Sequence, residues 1–238
     1  MSAVQHVVYL HGFASSPEST KAQRFRREIE ALGIGYSCPD FNQPSFESLT
    51  ISRMLDQVEI AMSSIQEDGS IALIGSSLGG FVAAHAAARD ASRRIDRLIF
   101  LAPAFEFGGN RLRQLGEHGI EEWRASGRLR VFHYGLEREC DVGFELYEDA
   151  AQYDAFALDL KVPTLIFQGR RDDSVDPASV ARWARDRPAA DLRLVDDGHQ
   201  LTNSLDYIWK ESRTFLLDTT GTTGTTGTSN DLSHPIKK

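Results

Sequence analysis

A chain of 238 residues, 41% hydrophobic and 25% charged, can bury one α/β sheet but is too short for two ordinary domains and a linker. Its net charge of −8, with basic residues scattered along the chain, speaks against a nucleic-acid or anionic-membrane surface and for a small-molecule partner. There is no run of the roughly 20 apolar residues needed for a membrane span and no basic-then-apolar leader, and Cys38 and Cys140 stand far apart, so a cytoplasmic protein without disulfide, zinc site or other cofactor is expected.

Taken in order, His6 to Leu10 reads as a short β-branched strand that runs into a turn-rich loop, His11 to Pro17. Ser19 or Thr20 caps a helix through Leu32, with Phe25, Ile29 and Leu32 on one buried face, Gly33 at its end, and Lys21, Arg24, Arg26 and Arg27 expected on the solvated side. Ile34 to Cys38 is the next strand, stopped by Pro39, and Asp40 to Ser48 is a loop with Phe41, Pro44 and Phe46 that could line a pocket. The period of Ile51, Leu55, Val58, Met62 and Ile65 predicts a helix over Leu49 to Gln66.

The chain then reaches its organising stretch, Ile71-Ala72-Leu73-Ile74-Gly75-Ser76-Ser77-Leu78-Gly79-Gly80-Phe81. An apolar strand breaks into Gly-x-Ser-x-Gly and continues as an Ala-rich helix, the context this motif needs to be a nucleophile elbow. Reversing from strand to helix within one residue strains the central Ser77 and crowds its neighbours, which is why Gly75 and Gly79 flank it. The hydroxyl is thereby held at the carboxyl end of the sheet and the amino end of a helix, whose dipole favours developing negative charge.

Leu98 to Leu101 is a continuous apolar run and hence a central parallel strand. From Ala104 to about Tyr153 the βα rhythm fails. This aromatic stretch, which includes Gly108-Gly109, Leu112, Trp123 and a helical Phe144 to Tyr153, is expected to be a lid insertion over Ser77 that chooses the substrate. Val162 to Gly169 resumes the sheet, followed by the carboxylate-rich loop Arg170 to Pro177, a helix from Pro177, a strand Leu192 to Val195, the turn Asp196-Asp197-Gly198-His199 and a closing helix from about Asn203 to Leu217. The Thr-Thr-Gly repeats and polar end over 218–238 have nothing to bury and are expected to be disordered. The fold class is therefore α/β, a doubly wound, mostly parallel sheet, with one domain over 1–217.

A serine hydroxyl needs a base to take its proton and a carboxylate to orient that base. The order Ser77, acidic cluster, His199 suits a hydrolase of this architecture, with each group just beyond a strand. Of the seven histidines, His85 points away along the helix of Ser77, His234 lies in the tail, His118 and His133 fall in the insertion, His6 is at the wrong end of its strand and His11 is expected to fix its loop. For the acid, Asp172 is preferred to Asp173 because it can turn back toward the histidine, and Glu106 is a third choice. The backbone N–H groups of Phe13 and Leu78 are the candidate oxyanion donors.

Together Val8-Tyr9-Leu10-His11-Gly12-Phe13, Ser15-Ser16-Pro17, Ser19, Lys21-Ala22 and Gly75-Ser76-Ser77-Leu78-Gly79-Gly80 resemble the α/β-hydrolase superfamily and, within it, the small bacterial YqiA-like esterases. The resemblance implies an α/β-hydrolase fold and a serine esterase or thioesterase, with Ser77 as nucleophile, His199 as base and Asp172 as acid. The activity expected is hydrolysis of carboxylic ester or thioester bonds through an acyl-enzyme. The alternatives are acyl transfer on the same triad, or a binding module that retains the fold without turnover.

Overall fold

Side chains of a strand alternate between two faces, and in this protein both faces of the central sheet are buried, so the strands read as unbroken apolar runs. The structure, a computed structural model, describes residues 3–66, 69–107 and 115–219. In chain order these form β1 (His6–Leu10), α1 (Thr20–Glu30), β2 (Gly35–Ser37), α2 (Ile51–Ser63), β3 (Ile71–Ser76), α3 (Leu78–Arg89) and β4 (Ile95–Leu101). An insertion follows with α4 (Gly116–Ser126), β5 (Arg128–His133), β6 (Arg138–Gly143) and α5 (Glu145–Ala150), and the sheet resumes with β7 (Thr164–Gly169), α6 (Pro177–Arg185), β8 (Ala190–Val195) and α7 (Leu205–Leu217).

The six strands of the main sheet pair in parallel in the order β2-β1-β3-β4-β7-β8. Tyr9, Ile74, Ile99 and Phe167 face α1 and α7, while Leu10, Leu73, Phe100 and Ile166 face α2, α3 and α6. This is the doubly wound α/β-hydrolase fold expected. The register pairs Leu10 with Gly75, Ser76 with Leu101 and Gly169 with Val195, so the loops after β1, β3, β7 and β8 leave the sheet along one edge.

Local chemistry sets the helix starts. Ser19, Thr50 and Asp176 cap α1, α2 and α6, each side chain accepting an N–H of the first turn. At the end of α1, Gly33 takes φ +74°, the left-handed conformation glycine adopts without a Cβ penalty. The end of α7 is held by Arg97, a guanidinium 1% exposed on β4. It donates to the carbonyls of Phe215, Leu216 and Asp218, supplying the positive charge that a helix carboxyl terminus favours.

The insertion is packed into the core rather than hung from it. Trp123, Val142, Phe144 and Leu146 join the apolar cluster on the α2–α3 face, and the Trp123 indole donates to the Val142 carbonyl at 3.1 Å. Its β5–β6 hairpin is antiparallel and separate from the main sheet. The Gly135 N–H donates to the Ala14 carbonyl, the Gly143 N–H donates to the Glu47 carbonyl, and the His133 ring bonds Asn42 at 2.8 Å. It thus docks on the loops that follow β1 and β2. The expected Gly108, Gly109 and Leu112 lie outside the described residues, as does the Thr/Gly tail beyond Thr219. Among the described residues no helix is long and apolar enough to cross a membrane.

Candidate active site

Ser77 stands between β3 and α3 with φ 51° and ψ −114°, a conformation rare for a residue with a side chain and tolerated only where the surroundings enforce it. The enforcement is visible on both sides. The Ser77 N–H donates to Leu101 O at 2.9 Å, and its own carbonyl accepts from Gly80 and from Ala104, the first residue of the insertion. A Cβ on Gly75 would lie 2.5 Å from Gly79 O, and one on Gly79 would lie 2.0 Å from Leu10 O. Both glycines are therefore required by contact between backbones. Gly80 carries a similar constraint that the motif does not advertise, since a Cβ there would meet Pro103 at 2.8 Å.

Above this elbow the His199 ring lies with Nε2 3.1 Å from Ser77 Oγ and Nδ1 2.9 Å from Asp172 Oδ2. Three residues separated by as many as 122 positions thus form one hydrogen-bonded chain. With Nδ1–H donated to the carboxylate, Nε2 is left to accept the Ser77 hydroxyl proton. Asp172 is fixed in turn by its own loop. Its Oδ1 accepts the N–H groups of Ser174 and Val175 at 2.9 and 2.8 Å, and its Oδ2 accepts Gln168 Nε2 at 2.8 Å. Burial works to raise its pKa, yet the bonds from His199, the Val175 N–H and Gln168 outweigh burial and hold the carboxyl below the usual carboxylate range. The carboxylate therefore stays charged at neutral pH.

The turn that carries His199 is tied down by Asp197, 4% exposed, whose carboxylate accepts Gly198 N at 2.8 Å and Ser204 N at 3.0 Å. Lys21 reaches the same turn, donating to Gln200 O at 3.0 Å. The expectation that Lys21 lies on the solvated side of α1 is thus corrected. Positions 21, 25 and 29 are one stripe of a helix, and Lys21 follows Phe25 and Ile29 inward.

Neither Gln168 nor Asp197 was among the expected site residues. Each left a trace: a polar residue inside the apolar run of β7, and an Asp directly before the Gly-His turn.

Of the two expected oxyanion donors, Leu78 directly follows the serine. Leu78 N–H is the first of α3 and has no acceptor within the helix. The loop carrying Phe13 passes against the elbow, for a Cβ on Gly12 would sit 3.4 Å from Ser77 Cβ. The Phe13 ring packs on Phe46 and Phe107 at 5.4 and 6.4 Å between centroids.

The other candidates are placed elsewhere. Asp173 is exposed and accepts the Ser174 hydroxyl, so it is Asp172 that meets the imidazole. Glu106 pairs with Arg182 of α6 at 2.5 Å. His11 donates Nδ1–H to Gly12 O and accepts Phe41 N–H at Nε2, a loop-fixing role. His133 is buried in the hairpin, His118 is exposed beside Glu122, and His85 lies between the Phe81 and Tyr153 rings. His234 is outside the described residues.

Residues 6–214 match the profile of the Uncharacterised protein family UPF0227. Among solved structures the chain is similar to a protein from Agrobacterium vitis S4, at 23% identity, covering 91% of each chain with a TM-score of 0.77. It is also similar to Est1E from Butyrivibrio proteoclasticus with ferulic acid bound, at 18% identity, 90% of this chain, 89% of that one and TM-score 0.76. Mouse alpha/beta hydrolase domain-containing protein 10 is similar at 18% identity, 91% of each chain and TM-score 0.75. These likenesses show the fold. No curated protein matches the chain.

Proposed function

The chain belongs to the UPF0227 (YqiA-like) family of the α/β-hydrolase superfamily, and on that footing we propose that it is a serine hydrolase cleaving carboxylic ester or thioester bonds through an acyl-enzyme. The observation that carries this reading is the unbroken hydrogen-bonded chain from Ser77 Oγ through both ring nitrogens of His199 to a charged Asp172. A serine in ordinary surface chemistry has no such base beside it.

In this reading His199 takes the Ser77 proton as Oγ attacks the acyl carbon, and the N–H groups of Phe13 and Leu78 hold the oxyanion. The imidazolium formed is stabilised by Asp172, and its proton passes to the leaving alcohol or thiol. Water then repeats the sequence on the acyl-enzyme and releases the acid. The amino end of α3 points at the developing charge. Est1E, to which the chain is similar, was solved with ferulic acid. The Phe13, Phe46 and Phe107 rings packed beside the elbow support an apolar or aryl group in the substrate. Solubility in the cytoplasm and a small-molecule partner belong to the same proposal.

The test is hydrolysis of a panel of p-nitrophenyl esters and acyl-thioesters of varied acyl length by wild type, Ser77→Ala and His199→Ala, with fluorophosphonate labelling in parallel. The expected result is turnover by the wild type that falls by orders of magnitude in both variants, and labelling confined to Ser77. A wild type that neither turns over nor labels overturns the reading and leaves a binding module on a hydrolase fold.

A further inference from the structure

Phe13 and Ala14 are the central residues of a turn closed by the Ser15 N–H, which donates to Gly12 O at 3.3 Å. Ala14 takes φ 53° there, in the left-handed region that a turn normally gives to glycine. A residue with a Cβ keeps that conformation only where its surroundings enforce it. Two other segments supply the enforcement. The Gly135 N–H, in the turn between β5 and β6, donates to Ala14 O at 3.3 Å, and Asn42 Nδ2, on the loop after β2, donates to Ser15 O at 2.9 Å. A Cβ on Gly135 would lie 2.8 Å from Ser16 Cβ and 3.1 Å from Ser15 C, so the hairpin turn lies flush against the Phe13 loop and needs a glycine to do so.

Asn42 joins the three segments through one amide. Its Nδ2 donates to Asp40 Oδ1 at 2.7 Å as well as to Ser15 O, and its Oδ1 accepts from His133 Nε2 at 2.8 Å. The His133 ring is wholly buried, and its Nδ1 accepts the Leu136 N–H at 3.1 Å. That bond puts the ring proton on Nε2 and so fixes which end of the Asn42 amide faces the hairpin and which faces Ser15. Phe46 stands edge-on to His133 at 4.7 Å and packs on the Phe13 ring at 5.4 Å. The carbonyls of Ala14 and Ser15 and the ring of Phe13 are thus held by separate contacts.

We propose that Asn42 is a positioning residue for the oxyanion site: with Gly135 of the insertion it holds the Phe13–Ala14 turn in its strained form, which keeps the Phe13 N–H aimed at the space beside Ser77. The inference rests on the serine-hydrolase reading above, with Phe13 as a donor in it. It gives the insertion a part in the chemistry as well as in covering the site. If the turn relaxes, the Phe13 ring still has Phe46 to pack on, so the ground-state complex is little changed. The donor is lost to the tetrahedral species alone, and the deficit falls on kcat.

The experiment measures kcat, KM and inhibition by a trifluoromethyl ketone in the full chain, for wild type, Asn42→Ala and the double variant Asn42→Ala with Ala14→Gly. On such a ketone Ser77 Oγ adds to the carbonyl carbon, its proton passes to His199, and the carbonyl oxygen becomes the oxyanion of a hemiketal. Asn42→Ala should lower kcat about 10- to 100-fold, keep KM within about twofold, and weaken the ketone by the same factor as kcat. Glycine at position 14 adopts a positive φ without strain, so the double variant should regain most of the kcat. A purely architectural role predicts the reverse, because Ala14→Gly removes a buried methyl and can only loosen the loop further. An unchanged kcat, a loss carried by KM, or a double variant no better than the single one overturns the proposal. Should Asn42→Ala fail to fold, Gly135→Ala with and without Ala14→Gly makes the same comparison, since its methyl displaces the hairpin turn from Ser15 and Ser16. Wild-type protein that neither turns over nor labels at Ser77 removes the underlying serine-hydrolase reading instead, a separate and recognisable failure.

Discussion

Gln168, wholly buried at the end of β7, donates its side-chain N–H to Asp172 Oδ2 at 2.8 Å, the same oxygen that meets His199 Nδ1 at 2.9 Å. The strand therefore orients the acid from below while the loop amides of Ser174 and Val175 hold the other oxygen. A charge-assisted bond of this kind contributes on the order of 1.5–3 kcal/mol. Gln168→Leu should lower kcat/KM about tenfold, and Asp172→Asn, which reverses the hydrogen-bond direction offered to the imidazole, by about 10³–10⁴. Steady-state kinetics on the best ester of the panel decides it; equal losses in the two variants would mean that Gln168→Leu disrupts the whole loop.

The elbow predicts a stability effect opposite to helix propensity. Alanine normally favours a helix over glycine by about 1 kcal/mol, but in Gly79→Ala the new Cβ would lie 2.0 Å from the Leu10 carbonyl oxygen and 2.8 Å from that of His11. Backbone cannot yield as a side-chain tip can, so the variant should lose about 3 kcal/mol or more. Gly198, whose added Cβ would meet only Arg171 O at 3.7 Å, should accept alanine at a cost below about 1 kcal/mol. Urea unfolding of both variants makes the comparison.

His85 gives a pH signature independent of activity. It is 4% exposed, its Nε2 makes no hydrogen bond to the described residues, and burial, with Arg89 adding, brings it down to about 4 from an ordinary 6.5. Between those values the unfolded chain takes up a proton that the native ring refuses, so this site's contribution is full above pH 6.5 and is lost as the pH falls toward 4. His85→Leu should gain about 2 kcal/mol relative to wild type on going from pH 7.5 to pH 5. A wild-type minus variant difference that is flat with pH would show that the ring titrates normally.

Arg97 predicts where the folded chain can be cut. Its guanidinium satisfies the last carbonyls of α7, including Asp218 O at 2.9 Å. Arg97→Met leaves these buried and part-buried acceptors without their donor and should cost about 3 kcal/mol. A chain ending at Thr219 should keep the wild-type melting temperature, whereas one ending at Leu217, the boundary expected from composition, gives up the Asp218 carbonyl that Arg97 holds and should melt slightly lower. Scanning calorimetry of the three proteins orders them.

The amino-acid order by itself determined the sheet, the elbow and the identity of the paired groups. Apolar runs of strand length, a helical period between them and Gly-x-Ser-x-Gly at one junction are local patterns, each legible within a dozen residues. The order Ser77, Asp172, His199 added the rest, because parallel strands deliver their loops to one edge and leave few ways to bring three such groups together. Local pattern also gave Asp172 its advantage over Asp173, since only one of two consecutive loop residues can turn inward.

What the tertiary structure alone decided lies between elements far apart in sequence. Lys21 reads as a solvated first-turn lysine until the turn after β8 is set beside α1, and Gln168 reads as a strand residue until the Asp172 loop folds over it. The insertion shows the same limit. Trp123 and Phe144 announce burial, but it takes the contacts of Gly135 with Ala14, Gly143 with Glu47 and His133 with Asn42 to show that it is fastened to the loops after β1 and β2. A buried polar group must find its partner wherever the packing places one, and that partner is set by which elements meet, a relation that no local period encodes.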